Sequence, residues 1–193
     1  AHGINQENRM KVPSLVLALS LASLVSSVRG DISYTFHLGN TAPELEVSNS
    51  VVTAAALYNQ YGSFNKHWDV YYNSGIPTAE ANYNGYMGYG SQRTVRTALH
   101  EGSHTLGMGT TAAYASLISS GVWAGAYGRQ AELDTYNDYA DGLHGDGHAI
   151  WPGGMNYESE DGYIQRIWSI RIKAAIRCDM GIMAYSKEAR NDL

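Results

Sequence analysis

Thr97-Ala98-Leu99-His100-Glu101-Gly102-Ser103-His104-Thr105-Leu106-Gly107 is the stretch on which the reading of this 193-residue chain turns. Ser91 offers a cap ahead of it, and residues 92–106 carry a helical pattern. Gly107, lacking a Cβ, is suited to the left-handed turn that ends helices. At about 100° per residue, His100 and His104 project from one face a turn apart, near enough for two imidazole nitrogens to hold one zinc ion at about 2 Å each. Glu101 lies off that line, where it can hold a water beside the metal. Val95, Leu99, Gly102 and Leu106 fall on the other side, so the helix is expected to bury an apolar stripe and turn its histidines toward a cleft. Two core histidines without a metal would each need a hydrogen-bond partner, and they would give an intervening glutamate no task.

The elements around this helix read as an α+β domain. Residues 31–38 alternate, with Ile32, Tyr34, Phe36 and Leu38 on one face of a strand. A helix capped by Ser48 or Ser50 runs through Val51, Val52, Ala55, Ala56, Leu57 and Tyr58 to about Tyr61. Residues 67–72 form a second strand, and residues 82–90, rich in Gly and Asn, a third strand suited to a sheet edge. Residues 108–158 are loop-rich, with short elements at 112–118 and 132–136. A closing helix spans residues 160–179, with Gly181 as its stop.

Beyond Gly107, Pro152-Gly153-Gly154-Met155-Asn156-Tyr157 precedes that last helix. Together these features resemble the metzincin zinc endopeptidases, whose motif is His-Glu-x-x-His-x-x-Gly-x-x-His followed by a methionine-containing turn. The resemblance covers roughly residues 82–179. It implies a zincin-like fold, a small twisted mixed sheet with an active-site helix and a C-terminal helix. It also implies a Zn2+ cofactor, Met155 as an apolar floor, and Tyr157 steadying an oxyanion or occupying the zinc at rest. The pattern's third histidine falls on Thr110, whose neutral hydroxyl is a poor zinc ligand. A catalytic zinc site takes three protein ligands and keeps one position open. The replacement is sought in Leu143-His144-Gly145-Asp146-Gly147-His148, where glycines let the chain bend back. His148 is the first choice, ahead of His144 and Asp146 and then Glu158 or Glu160. The plainer reading makes Asp146 and its glycines a turn with His148 exposed.

Composition narrows the function classes. Met10-Lys11, an apolar run over residues 12–28 and Arg29-Gly30-Asp31 read as a secretory signal, giving a leader over 1–30 with the signal at 10–30 and one domain over 31–193. Residues 1–30 hold three basic side chains and one acidic, so residues 31–193 carry 10 positive and 17 negative, a formal net of −7. That balance argues against nucleic acid and anionic membranes as partners. Cys178 is the one cysteine, so no disulfide closes within the chain. Fifteen Tyr against two Phe suit a surface that meets peptides or sugars. The expectation is a secreted, monomeric zinc metallopeptidase acting on peptide or protein substrates, glycoproteins included. Glu101 is its general base, and stable membrane association is not expected once the leader is removed. The alternative is a non-catalytic module gripping carbohydrate or glycoprotein with residues such as Trp123 and Trp151.

Overall fold

The computed structural model describes residues 31–137 and 142–183; the expected signal at 10–30 lies outside them. Strand β1 (Ile32–His37) is followed by helix α1 (Ala42–Tyr61) and strand β2 (Lys66–Tyr72). A hairpin of β3 (Ala79–Ala81) and β4 (Tyr86–Tyr89) leads into helix α2 (Val95–Thr105). The sheet order is β1-β2-β4-β3, with β1, β2 and β4 parallel and β3 antiparallel at the edge. α+β with a small mixed sheet is therefore what the chain forms.

One face of this sheet makes the core. Ile32 on β1, Trp68 and Val70 on β2, and Met87 and Tyr89 on β4 are buried, in keeping with the period-2 alternation of a half-covered sheet. Tyr58 of α1 meets both Phe64 and Trp68 edge-on, at centroid distances of 5.2 and 5.7 Å. Leu99 and Leu106 of the α2 segment are fully buried and Gly102 packs against Tyr58 and Trp68, as the apolar stripe predicts, while Val95 is half-buried. Trp68 Nε1 donates to Thr105 Oγ1 at 2.8 Å, fixing α2 on the sheet.

Several boundaries differ from expectation for identifiable reasons. Helix α1 starts at Ala42, not near Ser48 or Ser50. Pro43 sits in its first turn and Glu44 accepts from the Thr41 backbone N–H in a capping box, a stronger start than a serine alone. Ser50 instead donates to the Arg93 carbonyl. Residues 82–90 are not an edge strand. They hold a turn and the inner strand β4, and the edge is β3, because Asn82 and Gly85 close a hairpin and Gly85 has φ +104° with no room for a Cβ beside the His67 carbonyl. Helix α2 is capped by Thr94, whose Oγ1 accepts from Thr97 N–H; Ser91 donates to the Pro77 carbonyl instead.

The later half is more ordered than a loop-rich reading suggests. Helix α3 (Ala112–Ser116), strands β5 (Ile118–Ser119) and β6 (Val122–Trp123), helix α4 (Ala126–Tyr136) and strands β7 (His144–Gly145) and β8 (Ile150–Trp151) follow one another. The four short strands form an antiparallel sheet in order β5-β6-β7-β8. A 3-10 turn at Glu158–Glu160 precedes α5 (Tyr163–Asp179), which begins three residues later than expected. The Asp179 carboxylate accepts from Trp123 Nε1 and from the Tyr127 and Gly128 amides, tying the end of α5 to the start of α4. Among the described residues no helix is long and apolar enough to cross a membrane.

Candidate metal centre

Helix α2 presents His100 and His104 from consecutive turns with their Nε2 atoms 3.3 Å apart. Backbone carbonyls fix the other ring nitrogens: Gly154 O lies 2.9 Å from His100 Nδ1 and Met108 O lies 2.8 Å from His104 Nδ1. A carbonyl only accepts, so each Nδ1 carries the proton and each Nε2 of the neutral ring is left with a lone pair. Burial keeps the rings neutral: it is the main cause lowering His100 to about 3, with the His104 charge adding, and it lowers His104 as well. Two acceptors, one on the half-buried His100 and one on the buried His104, thus face each other with no proton to share, an arrangement that a cation satisfies. Their separation matches the roughly 3.3 Å between two nitrogens bound tetrahedrally at about 2 Å.

The third imidazole comes from the β7–β8 hairpin. Asp146 Oδ1 accepts from the His148 and Ala149 amides at 2.7 and 2.8 Å, forming the turn that carries His148. The ligand atoms of His100, His104 and His148 all lie within 4.8 Å of one another, a group able to hold a metal ion. The His148 ring is exposed, and its centroid is 4.6 Å from that of His104. Of the alternatives, His144 contacts the Gly121 carbonyl through Nδ1 and stacks on Trp151, and Asp146 is engaged in the turn. Glu160 is engaged elsewhere too, accepting from the Gly153, Asn156 and Tyr157 amides. Thr110 donates to the His104 carbonyl. Gly109, at φ +68°, lies so close to the His148 carbonyl that a Cβ there would come within 2.1 Å, so the end of α2 and the hairpin tip interlock.

A cleft of about 200 Å³ opens beside the histidines, lined by His100, Glu101, His148, Met155, Arg96 and the edge-strand residue Ala79, among others. Glu101 is 5% exposed, and its Oε2 has no hydrogen-bond partner among the described residues. Burial, with Glu80 adding, raises its carboxyl to about 7. A carboxyl poised there accepts and returns a proton near neutral pH.

Met155 is fully buried, with φ +62°, and lines the cleft. Tyr157 does not line the cleft: the residue is 66% exposed, and that segment contributes Met155 and Asn156 instead. Sequence reasoning missed Arg96, one turn before His100, whose Nη1 donates to the Met155 and Asn156 carbonyls at 2.9 and 3.1 Å. Its four-residue offset from His100 was the available signal. Trp123, named for the binding-module alternative, is fully buried, whereas Trp151 is 38% exposed. Compared with known protein families, curated proteins and solved structures, the chain matches none.

Proposed function

We propose that residues 31–183 form a zinc-dependent peptidase of zincin type, with His100, His104 and His148 holding the metal and Glu101 serving as general base. The observation that carries this reading is the pair of proton-free Nε2 atoms 3.3 Å apart, on the half-buried His100 and the buried His104, in a cleft shared with a buried carboxylate oxygen that lacks a partner among the described residues. Three imidazoles suit zinc, although the donor set alone also accommodates other late first-row metals. When bound, zinc supplies Lewis acidity toward a carbonyl and toward water.

Glu101 Oε2 takes a proton from the attacking water and passes it to the departing amine nitrogen, so one carboxyl acts first as base and then as acid. Strand β3 supplies the place for substrate. Among the described residues it pairs only with β4, and its first residue, Ala79, with the preceding Thr78, shares the cleft with His100 and Glu101. An extended peptide adding to this edge through main-chain hydrogen bonds brings a peptide carbonyl past the histidines. Action outside the cell is part of the same proposal and rests on the apolar, signal-like residues 10–30.

The test is Glu101→Gln on zinc-loaded protein, with unfolded casein as substrate. Zinc stoichiometry should stay at one while hydrolysis falls by about 10²–10⁴-fold, the usual worth of a general base. Unchanged hydrolysis removes Glu101 from the reaction, and no zinc retention by the wild type removes the reading itself.

A further inference from the structure

We propose that Arg96 makes this cleft selective for a peptide bearing a carboxylate, either an acidic side chain or a free C-terminus. The inference rests on the peptidase reading and adds a substrate class to it. Arg96 precedes His100 by four residues on α2, so it lies on the same helix face, and it lines the same cleft. It is the cleft's only Lys or Arg; apart from Glu101 and the two histidines, the other lining residues, such as Gln92, Thr97 and Asn156, are uncharged.

The charge of Arg96 is not neutralised within the described protein. Its two hydrogen bonds run from Nη1 to the Met155 and Asn156 carbonyls, which are neutral acceptors. Arg93 pairs with Glu46 and Arg166 with Asp161, but among the described residues no carboxylate lies within 4.0 Å of Arg96. These bonds hold the half-buried guanidinium in one orientation and leave Nε and Nη2 without an acceptor among the described residues. A fixed guanidinium with two adjacent free donors matches the two oxygens of a carboxylate. Gln92, in the same cleft, offers a further amide donor.

The experiment measures binding separately from turnover. Zinc-loaded Glu101→Gln protein is titrated, by fluorescence polarisation, into labelled hexapeptides of alanine. One pair of amidated peptides differs by Glu or Gln at the fourth position; a second pair, all alanine, differs by a free or amidated C-terminus. At least one carboxylate-bearing member should bind about 10-fold more tightly than its neutral partner, the scale of a charge-assisted hydrogen bond, and the pair showing the difference identifies the source. Added in the Glu101→Gln background, Arg96→Gln should bring that ratio to within about two-fold. Because Arg96→Gln also removes the bonds to the methionine turn, Gln92→Glu, which adds a competing carboxylate and keeps those bonds, should collapse the ratio too. Equal binding of all four peptides, or a preference that survives both substitutions, overturns the role of Arg96. If wild-type protein still cleaves casein in that case, the peptidase reading stands; if nothing is bound and nothing is cleaved, both fall.

Discussion

At the scale of single residues, the three histidines are held in different ways, and this sets what each substitution does. The half-buried His100 and the buried His104 have their tautomers fixed by the Gly154 and Met108 carbonyls, whereas the exposed His148 is positioned through its backbone, whose amide donates to Asp146. His148→Ala therefore removes the proposed third ligand without opening the core. Zinc affinity by isothermal titration calorimetry should fall by at least about 100-fold while the fold persists, and Asp146→Ala, which loosens the turn, should cost about 10-fold. His144→Ala should leave affinity unchanged, because that ring faces Gly121 and Trp151. A large loss from His144→Ala with none from His148→Ala would reassign the third ligand. The helix pair and its glutamate were legible because a four-residue spacing on a helix fixes which side chains meet. The offset of Arg96 from His100 was legible too, but what Arg96 and Glu160 hold was not, because they act on backbone groups: Arg96 on carbonyls 59 and 60 residues away, and Glu160 on amides as far as Gly153.

Between elements, two joints hold α2 in place. The first is its C-terminal turn, where Gly107 and Gly109 both have positive φ, but only Gly109 abuts the His148 carbonyl; a Cβ at Gly107 would meet side-chain atoms at 3.4 Å and beyond. Both Gly→Ala changes should destabilise by about 1–2 kcal/mol through left-handed backbone strain. Gly109→Ala alone should also lower zinc affinity, by about 10-fold, because it displaces the hairpin that carries the proposed ligand His148. Equal zinc affinity in the two variants would show that the joint does not position His148. The second joint is Lys173 of α5, fully buried, whose Nζ donates to the Leu99 carbonyl at 2.9 Å alongside the Tyr58 hydroxyl at 2.8 Å. Burial pulls this amine down to about 7, with Glu160 opposing. Its folded pKa is below the unfolded one, so between pH 7 and 10.5 the unfolded chain binds the extra proton and stability rises with pH, by up to roughly 1.4 kcal/mol per unit. Melting temperature should accordingly climb from pH 7 to pH 9 in the wild type, and Lys173→Met should flatten that climb. A parallel climb in both proteins would assign it to other groups. The sequence gives no hint of this lysine's place, since position 173 lies in a helical stretch where a charge ordinarily points to water. The boundary of α1 was misjudged for a related reason: Ser48 and Ser50 are plausible caps locally, but the Pro43 and Glu44 first turn outcompetes them.

The whole molecule consists of a mixed sheet with α1 and α2 on one face and a second, short-stranded sheet that carries the hairpin and leads into the methionine turn. The proposed centre joins the two, since His100 and His104 belong to α2 and His148 lies in the β7–β8 turn. Strands of two residues offer few ladder bonds of their own, so this half of the protein should depend on the metal more than the six- and seven-residue strands β1 and β2. A ligand that binds only the folded state at 100 times its dissociation constant stabilises by about 2.7 kcal/mol. In a domain of this size that corresponds to a rise in melting temperature of about 5–10 °C, lost on chelation. Hydrogen exchange read by mass spectrometry should localise the effect. With zinc removed, exchange should speed up across residues 143–156, while β1 and β2 keep their protection. If chelation leaves exchange in residues 143–156 untouched, or if the metal protects only β1 and β2, then the three imidazoles are not where this protein holds its ion.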